Sequence, residues 1–324
     1  MYNIKLVVIF NHNYEQNIPT LESLYANQFP NRCYLVPFSR SDRSNVISVY
    51  QGGRTFSGHV AQGYGAFKSA ETTHYLFIAD DMLLNPSISS SNLHERLHLG
   101  HEEAYIKNIA PISKANYQWL FGNRVLESVR RAGFDYSKEL PTPKLAMKTF
   151  AKLGIECGPL NLSTLRDWDG RIPFRELTLN PSSILGYVRQ LCCDQPYPLL
   201  FGYSDLFLVP APEMNRFAHF CGVLGAMNVF AEVAIPTAMA LACPKIKTEL
   251  SLGEVFQHKM PNSSPGAAMH GTELWGSEIG KFEQRLRGDL SALLRDFPVD
   301  QLYIHPIKLS RWSLNNRFVS QKCN

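Results

Sequence analysis

The sequence predicts an α/β protein with a mostly parallel sheet flanked by helices and a helical insertion in the second half. Over the first hundred residues, short β-branched, apolar runs alternate with segments of helical spacing. The runs are apolar at consecutive positions, as in strands covered on both faces. Strands separated by short helices imply right-handed parallel connections.

Lys5–Phe10 is the first such strand, and Ile18–Gln28 follows as a helix through Leu21, Leu24 and Tyr25, closed by Pro30-Asn31. Cys33–Phe38 and Val46–Tyr50 are the next strands, Gly58–Ala70 a helix with small residues on one face, and His74–Ala79 a fourth strand that stops at Asp80-Asp81. Beyond residue 100, Tyr105–Gly133, Pro143–Gly154 and Asn180–Asp194 read as helices, and Leu199–Val209 returns to strand composition. Gly222–Cys243 is long enough to span a bilayer. However, Glu232 and Pro236 lie in its middle, and a central carboxylate costs roughly 2.5–3.5 kcal/mol on insertion scales, so a buried helical segment is expected. A Pro, Ser and Gly loop covers 261–267, and Lys281–Phe297 is an amphipathic helix. No repeat or linker divides the chain. Residues 1–100 read as a ligand-binding half and 101–324 as the insertion and second half, packed as one compact unit.

The 32 Lys and Arg against 28 Asp and Glu give a net charge of +4, scattered rather than striped, which speaks against nucleic acid as a partner. The seven cysteines are odd in number, lack a C-x-x-C pair and fit reduced thiols. The N-terminus lacks the layout of a secretory signal, and a cytoplasmic location is expected. The basic, aromatic tail with Lys308, Arg311, Trp312 and Arg317 suits either peripheral contact with a membrane's inner face or a packed terminal segment.

Three features occur in order within residues 1–86: the polar turn Phe10-Asn11-His12-Asn13-Tyr14, the small-residue helix around Ala61-Gln62-Gly63-Tyr64-Gly65, and the strand Tyr75-Leu76-Phe77-Ile78-Ala79 running into Asp80-Asp81, Met82, Leu83, Leu84, Asn85 and Pro86. This arrangement resembles the nucleotide-binding half of GT-A glycosyltransferases, most nearly the large inverting family 2. The resemblance implies a GT-A-like, Rossmann-related fold and transfer of a sugar from a nucleotide-sugar donor to a glycan or lipid-linked acceptor hydroxyl. It also implies a Mn2+ or Mg2+ ion that neutralises the departing phosphates, since hard cations take carboxylate oxygens and ligands of open α/β sheets bind at the carboxyl ends of strands. The family's Asp-x-Asp is replaced here by Ala79-Asp80-Asp81-Met82. Asp81 is preferred as the retained metal ligand, with Asp80 closer to ribose or sugar; the reverse alignment makes Asp80 the retained member. An acid pair that only caps a turn after a buried strand is the plain alternative.

On the same resemblance the turn would meet the nucleotide, with His12, next to Asn11 and Asn13, the candidate for the nucleobase; Arg40, Arg43 and Arg54 or Lys68 are candidates for the phosphates, or else solvate an exposed face. An inverting transfer needs a carboxylate to take the acceptor's proton. Glu232, a lone acid in an apolar run, and Asp205, in Gly202-Tyr203-Ser204-Asp205, are the candidates; a buried paired Glu and a turn-capping Asp are the alternatives. His270, before Trp275-Gly276, is a candidate late metal ligand, or else a solvated loop residue.

A rival motif is literal. His94-Glu95-Arg96-Leu97-His98 reads H-E-x-x-H, which on a helix places two zinc ligands on one face with Glu95 as general base. Arg96 and the absence of the extended pattern (His101 and Ala104 stand where Gly and His would) weigh against a zinc metallohydrolase. A catalytically inactive nucleotide- or sugar-binding protein is the third reading, kept open by the incomplete acidic motif.

Overall fold

A computed structural model describes residues 2–114, 125, 128–129, 132–158, 197–249, 270–273 and 277–314. The elements are β1 (Ile4–Ile9), α1 (Ile18–Tyr25), β2 (Arg32–Pro37), β3 (Val46–Val49), α2 (Phe56–Phe67), β4 (His74–Ala79), β5 (Leu83–Leu84), α3 (Leu93–Arg96), β6 (Ala104–Ile106), β7 (Ile109–Pro111), α4 (Pro143–Lys152), β8 (Leu200–Gly202), β9 (Leu206–Pro210), α5 (Ala211–Ala226), α6 (Ala231–Ala242), β10 (Ile246–Lys247), β11 (His270–Glu273), α7 (Ser277–Leu286), α8 (Leu290–Arg295) and β12 (Gln301–His305).

The central sheet has seven strands in the order β10-β6-β9-β4-β1-β2-β3. All its pairings are parallel except those of β9 with β4 and β6. The fold class is therefore α/β with a mostly parallel sheet between helices. Alternate side chains of β1 enter opposite cores: Val7 and Ile9 meet α2, α5 and α6, while Leu6 and Val8 meet α1 and the C-terminal elements. Consecutive apolar residues are needed for that, since both faces are covered. Phe77 stacks on Phe207 across the β4–β9 pair with ring centroids 4.7 Å apart, and both are fully buried.

Chain order reverses between β1 and β4. From β1 the chain moves outward through β2 and β3, then returns to place β4 on β1's other side. Such a point leaves a crevice at the carboxyl ends of the two strands. A three-stranded sheet, β11-β12-β5, covers one side of it, because β12 pairs antiparallel with β5 immediately after the acid pair (Tyr303 opposite Leu84, Ile304 opposite Leu83).

Several expected elements take another form. Tyr105–Gly133 does not begin as a helix: its start supplies β6 and β7, whose pairing with β9 and β8 overrides the helix-like apolar spacing. Leu199–Val209 is two strands in different sheets, broken at Tyr203–Asp205. The Lys281–Phe297 helix is two helices, because Arg287 and Gly288 have φ of 52° and 62°. At Gly288 a Cβ would lie 2.6 Å from the Arg311 carbonyl oxygen, so glycine is required for two reasons at once.

The apolar stretch 222–243 runs from the end of α5 through the turn at 227–230 and along α6, and α6 is almost wholly buried against α5, α2 and β8. Arg216 donates to the Leu241 and Ala242 carbonyls at 3.1 and 3.4 Å and so satisfies carbonyls left open at the C-terminal end of α6. Among the described residues no helix is long and apolar enough to cross a membrane. The expected helix 180–194, the 261–267 loop, Trp275-Gly276 and Arg317 lie outside the described residues.

Truncating the fully buried Phe77 removes the centre of this core. Phe77→Ala is expected to cost about 3–5 kcal/mol in chemical denaturation. A loss below about 1 kcal/mol would show that the β4–β9 ring stack is not a main support.

Candidate active site

The crevice between β1 and β4 is lined by Asn11, which follows β1, and by Asp80 and Asp81, which follow β4. Asp80 donates its amide to the Ile9 carbonyl at 2.9 Å, continuing the β1–β4 ladder, and its Oδ1 accepts the Asn11 amide at 3.2 Å. The two strand ends are thus tied together by one carboxylate. Gly53 closes the floor: a Cβ there would lie 2.4 Å from the Asn11 carbonyl oxygen, which keeps the Gly53–Thr55 turn, and exposed Arg54 with it, against the β1 end.

Asp81 is held by the C-terminal segment. Lys308 Nζ donates to its Oδ2 at 2.7 Å, and His305 Nε2 stands 3.3 Å from its Oδ1. The Ile307 amide donates to the Asp81 carbonyl at 2.6 Å. Behind the pair, the buried Tyr25 hydroxyl donates to the Met82 carbonyl and accepts from the Leu84 amide, at 3.0 and 3.2 Å. Asn85 donates to the Pro298 and Gln301 carbonyls. The loop 80–85 is fixed at both ends.

These surroundings drive the two acids apart. Burial first, then the neighbouring Asp81 charge, push the Asp80 carboxyl up to about 7, against weaker help from the Asn11 amide and Lys308. Burial also works to raise Asp81, but the close approach of His305 and then of Lys308 outweighs it and holds that carboxyl at about 2. For Lys308, burial works to lower the ammonium, and its bond to Asp81 more than compensates, so it is raised.

Asp205 closes the other side of β4: its carbonyl accepts the Ala79 amide at 2.8 Å, one residue before Asp80. It sits half-buried in the turn between β8 and β9. Tyr203, in the same turn, meets His305 edge-on with centroids 6.1 Å apart and stacks on Tyr303 at 5.8 Å. Glu232 lies half-buried in the first turn of α6, the end of that helix nearest the carboxyl edge of the sheet, and α6 packs on the Gly53–Thr55 turn. Exposed aromatics line the same edge: Tyr14 after β1, Phe38 after β2 and Tyr50 after β3. Phe38 and Tyr50 meet edge to face at 6.0 Å and are 58% and 70% exposed. Phe38 has φ of 53°, an unfavourable conformation for an aromatic residue, and Asn13 Nδ2 donates to its carbonyl at 3.3 Å. His12 is exposed and packs edge-on against Tyr14.

Other expected positions fall elsewhere. Lys68 caps the far end of α2 and lies over the Tyr64 ring, at the opposite edge of the sheet from Asp80. It is removed from the site by the antiparallel run of α2 along the strands. His270 is paired in register with Gln301, whereas the residue at Asp81 is His305, at the other end of β12. The two positions differ by roughly 13 Å of strand.

The H-E-x-x-H reading is corrected too. Helix α3 ends at Arg96, and His98 has φ of 47°, so the two histidines do not share a helix face. His94 instead stacks on Tyr2 at 3.7 Å, and His101 on Tyr2 at 4.2 Å, beside the start of β4. That cluster stands at the other end of a six-residue strand from Asp80, roughly 20 Å away.

Among the described residues no group of three His, Cys, Asp or Glu side chains is placed to hold a metal ion. The expected Mn2+ or Mg2+ on Asp81 with Asp80 also meets a lysine ammonium already seated on the better ionised acid. A divalent ion on Asp81 therefore competes with the Lys308 ammonium for Oδ2, whereas the buried Oδ1 has no hydrogen-bond partner among the described residues.

His305 and Lys308 are the residues that reading the sequence missed. Lys308 stood only as part of a basic tail, and nothing local to either residue points to an acid so distant in sequence, 227 positions from Lys308.

No family model matches the sequence, and no curated protein matches it. Among solved structures, core-mannan synthase A from Aspergillus fumigatus, in its Mn/GDP form, is similar over 78% of this chain and 73% of that one, at 9% identity and a TM-score of 0.33. At that distance the geometry described above has to carry the functional reading.

The raised carboxyl makes a pH prediction. Asp80 binds its proton more tightly in the folded chain than in the unfolded one, so its contribution to stability is complete below about pH 4 and is lost as pH rises through about 7. Asp80→Asn mimics the protonated form and keeps an acceptor for the Asn11 amide. Its melting temperature is expected to match the parent's near pH 4 and to exceed it at pH 8, by up to roughly 4 kcal/mol of stability. A difference that does not change with pH would refute the buried like-charge repulsion.

Proposed function

We propose that the chain is a glycosyltransferase that binds a nucleotide-sugar donor at the β1–β4 crevice and transfers its sugar to a hydroxyl of a glycan or lipid-linked acceptor. The observation that carries this reading is the pair of carboxylates ending β4 at the sheet's point of reversal, tied to the β1 end through the Asn11 amide. Open α/β sheets bind ligands at this place. The ordered turn, helix and strand that resemble GT-A enzymes lead into the same place.

The residues then take separate roles. Phe38 and Tyr50 offer the nucleobase an exposed aromatic platform, with His12 and Asn13 beside it. Asn11 and Asp80 face the ribose and sugar, and Arg54, on its turn against Asn11, faces the phosphates. In the transfer step the acceptor oxygen forms a bond to the anomeric carbon. The bond from that carbon to the terminal phosphate oxygen breaks, its electron pair leaving with the phosphate. The acceptor's proton passes to a carboxylate. Asp205 is preferred as that base over Glu232, because its backbone is bonded to the residue preceding Asp80. The inverting outcome follows from the likeness to family 2.

The test is a panel of nucleoside mono- and diphosphates, followed by their sugar conjugates. One nucleotide should raise the melting temperature, and its sugar conjugate should be consumed by transfer or slow hydrolysis. Phe38→Ala or Tyr50→Ala should weaken binding of that nucleotide by about 1–3 kcal/mol. Asp205→Asn should leave binding in place and lower turnover roughly 100- to 10,000-fold. If no nucleotide shifts the melting curve, the transferase reading is lost; if Asp205→Asn turns over normally while Glu232→Gln does not, the base is Glu232.

A further inference from the structure

Sugar transfer from a nucleotide leaves added negative charge on phosphate, and something cationic has to stand there. Where the family likeness leads one to expect a metal ion, the structure has a side chain. Lys308 Nζ lies 2.7 Å from Asp81 Oδ2 and holds that oxygen, while His305 Nε2 lies 3.3 Å from Oδ1, within ion-pair reach but without a hydrogen bond to it. The Asp81 side chain is 12% exposed and the Lys308 side chain 48%, so the ammonium is the outer member of the pair and is open on its far side. An ammonium has three protons, and one bond to Asp81 leaves others for a phosphate oxygen. Its bond to Asp81, the residue after Asp80 at the end of β4, places the ammonium at the crevice itself. A divalent cation at Asp81 would have to displace this ammonium or sit beside it against direct repulsion.

We infer that Lys308, seated on Asp81 and backed by His305, is the cation that meets the donor's diphosphate, and that this site binds nucleoside diphosphates without a divalent metal. The inference rests on the transferase reading and refines it. In the step, the electron pair of the broken carbon–oxygen bond comes to rest on the terminal phosphate oxygen, and Lys308 donates a hydrogen bond to it while remaining protonated. Asp81 is a positioning residue for the ammonium rather than a contact to the nucleotide.

The deciding experiment is calorimetry of the full chain with UDP, GDP and CDP, first in excess EDTA and then with added Mn2+ or Mg2+. One nucleotide should bind in EDTA, with an affinity that changes less than about threefold on adding the metal. Lys308→Met should weaken it about 10- to 100-fold, the effect of a lost charge-assisted hydrogen bond. Because that change strands a buried carboxylate, Lys308→Met is also made together with Asp81→Asn, where no charge is left uncompensated, and the same loss is expected. Asp81→Asn alone should lose no more than about tenfold and stay indifferent to metal. Binding that appears only with Mn2+ or Mg2+ and disappears in Asp81→Asn overturns this inference and leaves the transferase reading standing. Absence of binding under every condition overturns both.

Discussion

Two adjacent carboxylates at a nearly dry strand end cannot both stay charged without help, and most of the site follows from how that constraint is met. Asp81 keeps its charge because a lysine and a histidine are brought to it. Asp80 has the Asn11 amide and little else, and holds its proton up to about pH 7. The cations come from the C-terminal segment, so β12 has to dock beside the acid loop. Its antiparallel pairing with β5, the Asn85 contacts and the Ile307 amide are what keep it there. The small second sheet is therefore part of the electrostatic solution as well as a cover.

The rest of the crevice is a consequence of chain order. Reversal between β1 and β4 puts two loops at the same edge, and Gly53 lets a third approach the backbone of the first. Strand β9 then enters antiparallel beside β4, which turns the β8–β9 connection toward that edge and delivers Asp205. Strands from both sides of position 100 hydrogen-bond within one sheet, so that edge is built by both halves of the chain.

The first four strands and two helices could be read from the sequence because each obeys a single local rule: consecutive apolar residues for doubly covered strands, three-and-four spacing for α1, and small residues on one face for α2. The acid pair was legible for the same reason, standing where an unbroken apolar strand ends. Tyr105–Ile106 and Ile109 were misread, since two short strands separated by Lys107-Asn108 imitate helical spacing and only pairing with β9 and β8 separates the two cases. Arg287-Gly288 was passed over because the apolar stripe continues across the break. Lys68 looked useful in the linear sequence and is carried away by the direction of α2. His98 failed as a zinc ligand through its backbone conformation, a property the motif does not encode. Partners of a buried charge are fixed by tertiary structure, so nothing short of the fold could have named His305 and Lys308.

The bond between Lys308 and Asp81 spans 227 positions. Contacts of such separation form late, after the cost of closing the intervening loop has been met by other packing. During synthesis the acid loop therefore emerges long before its counter-charge, and the N-terminal strands must pass that interval with a carboxylate pair that has no cation beside it. The crevice gains the counter-charge of its acid pair only once that long-range contact has formed.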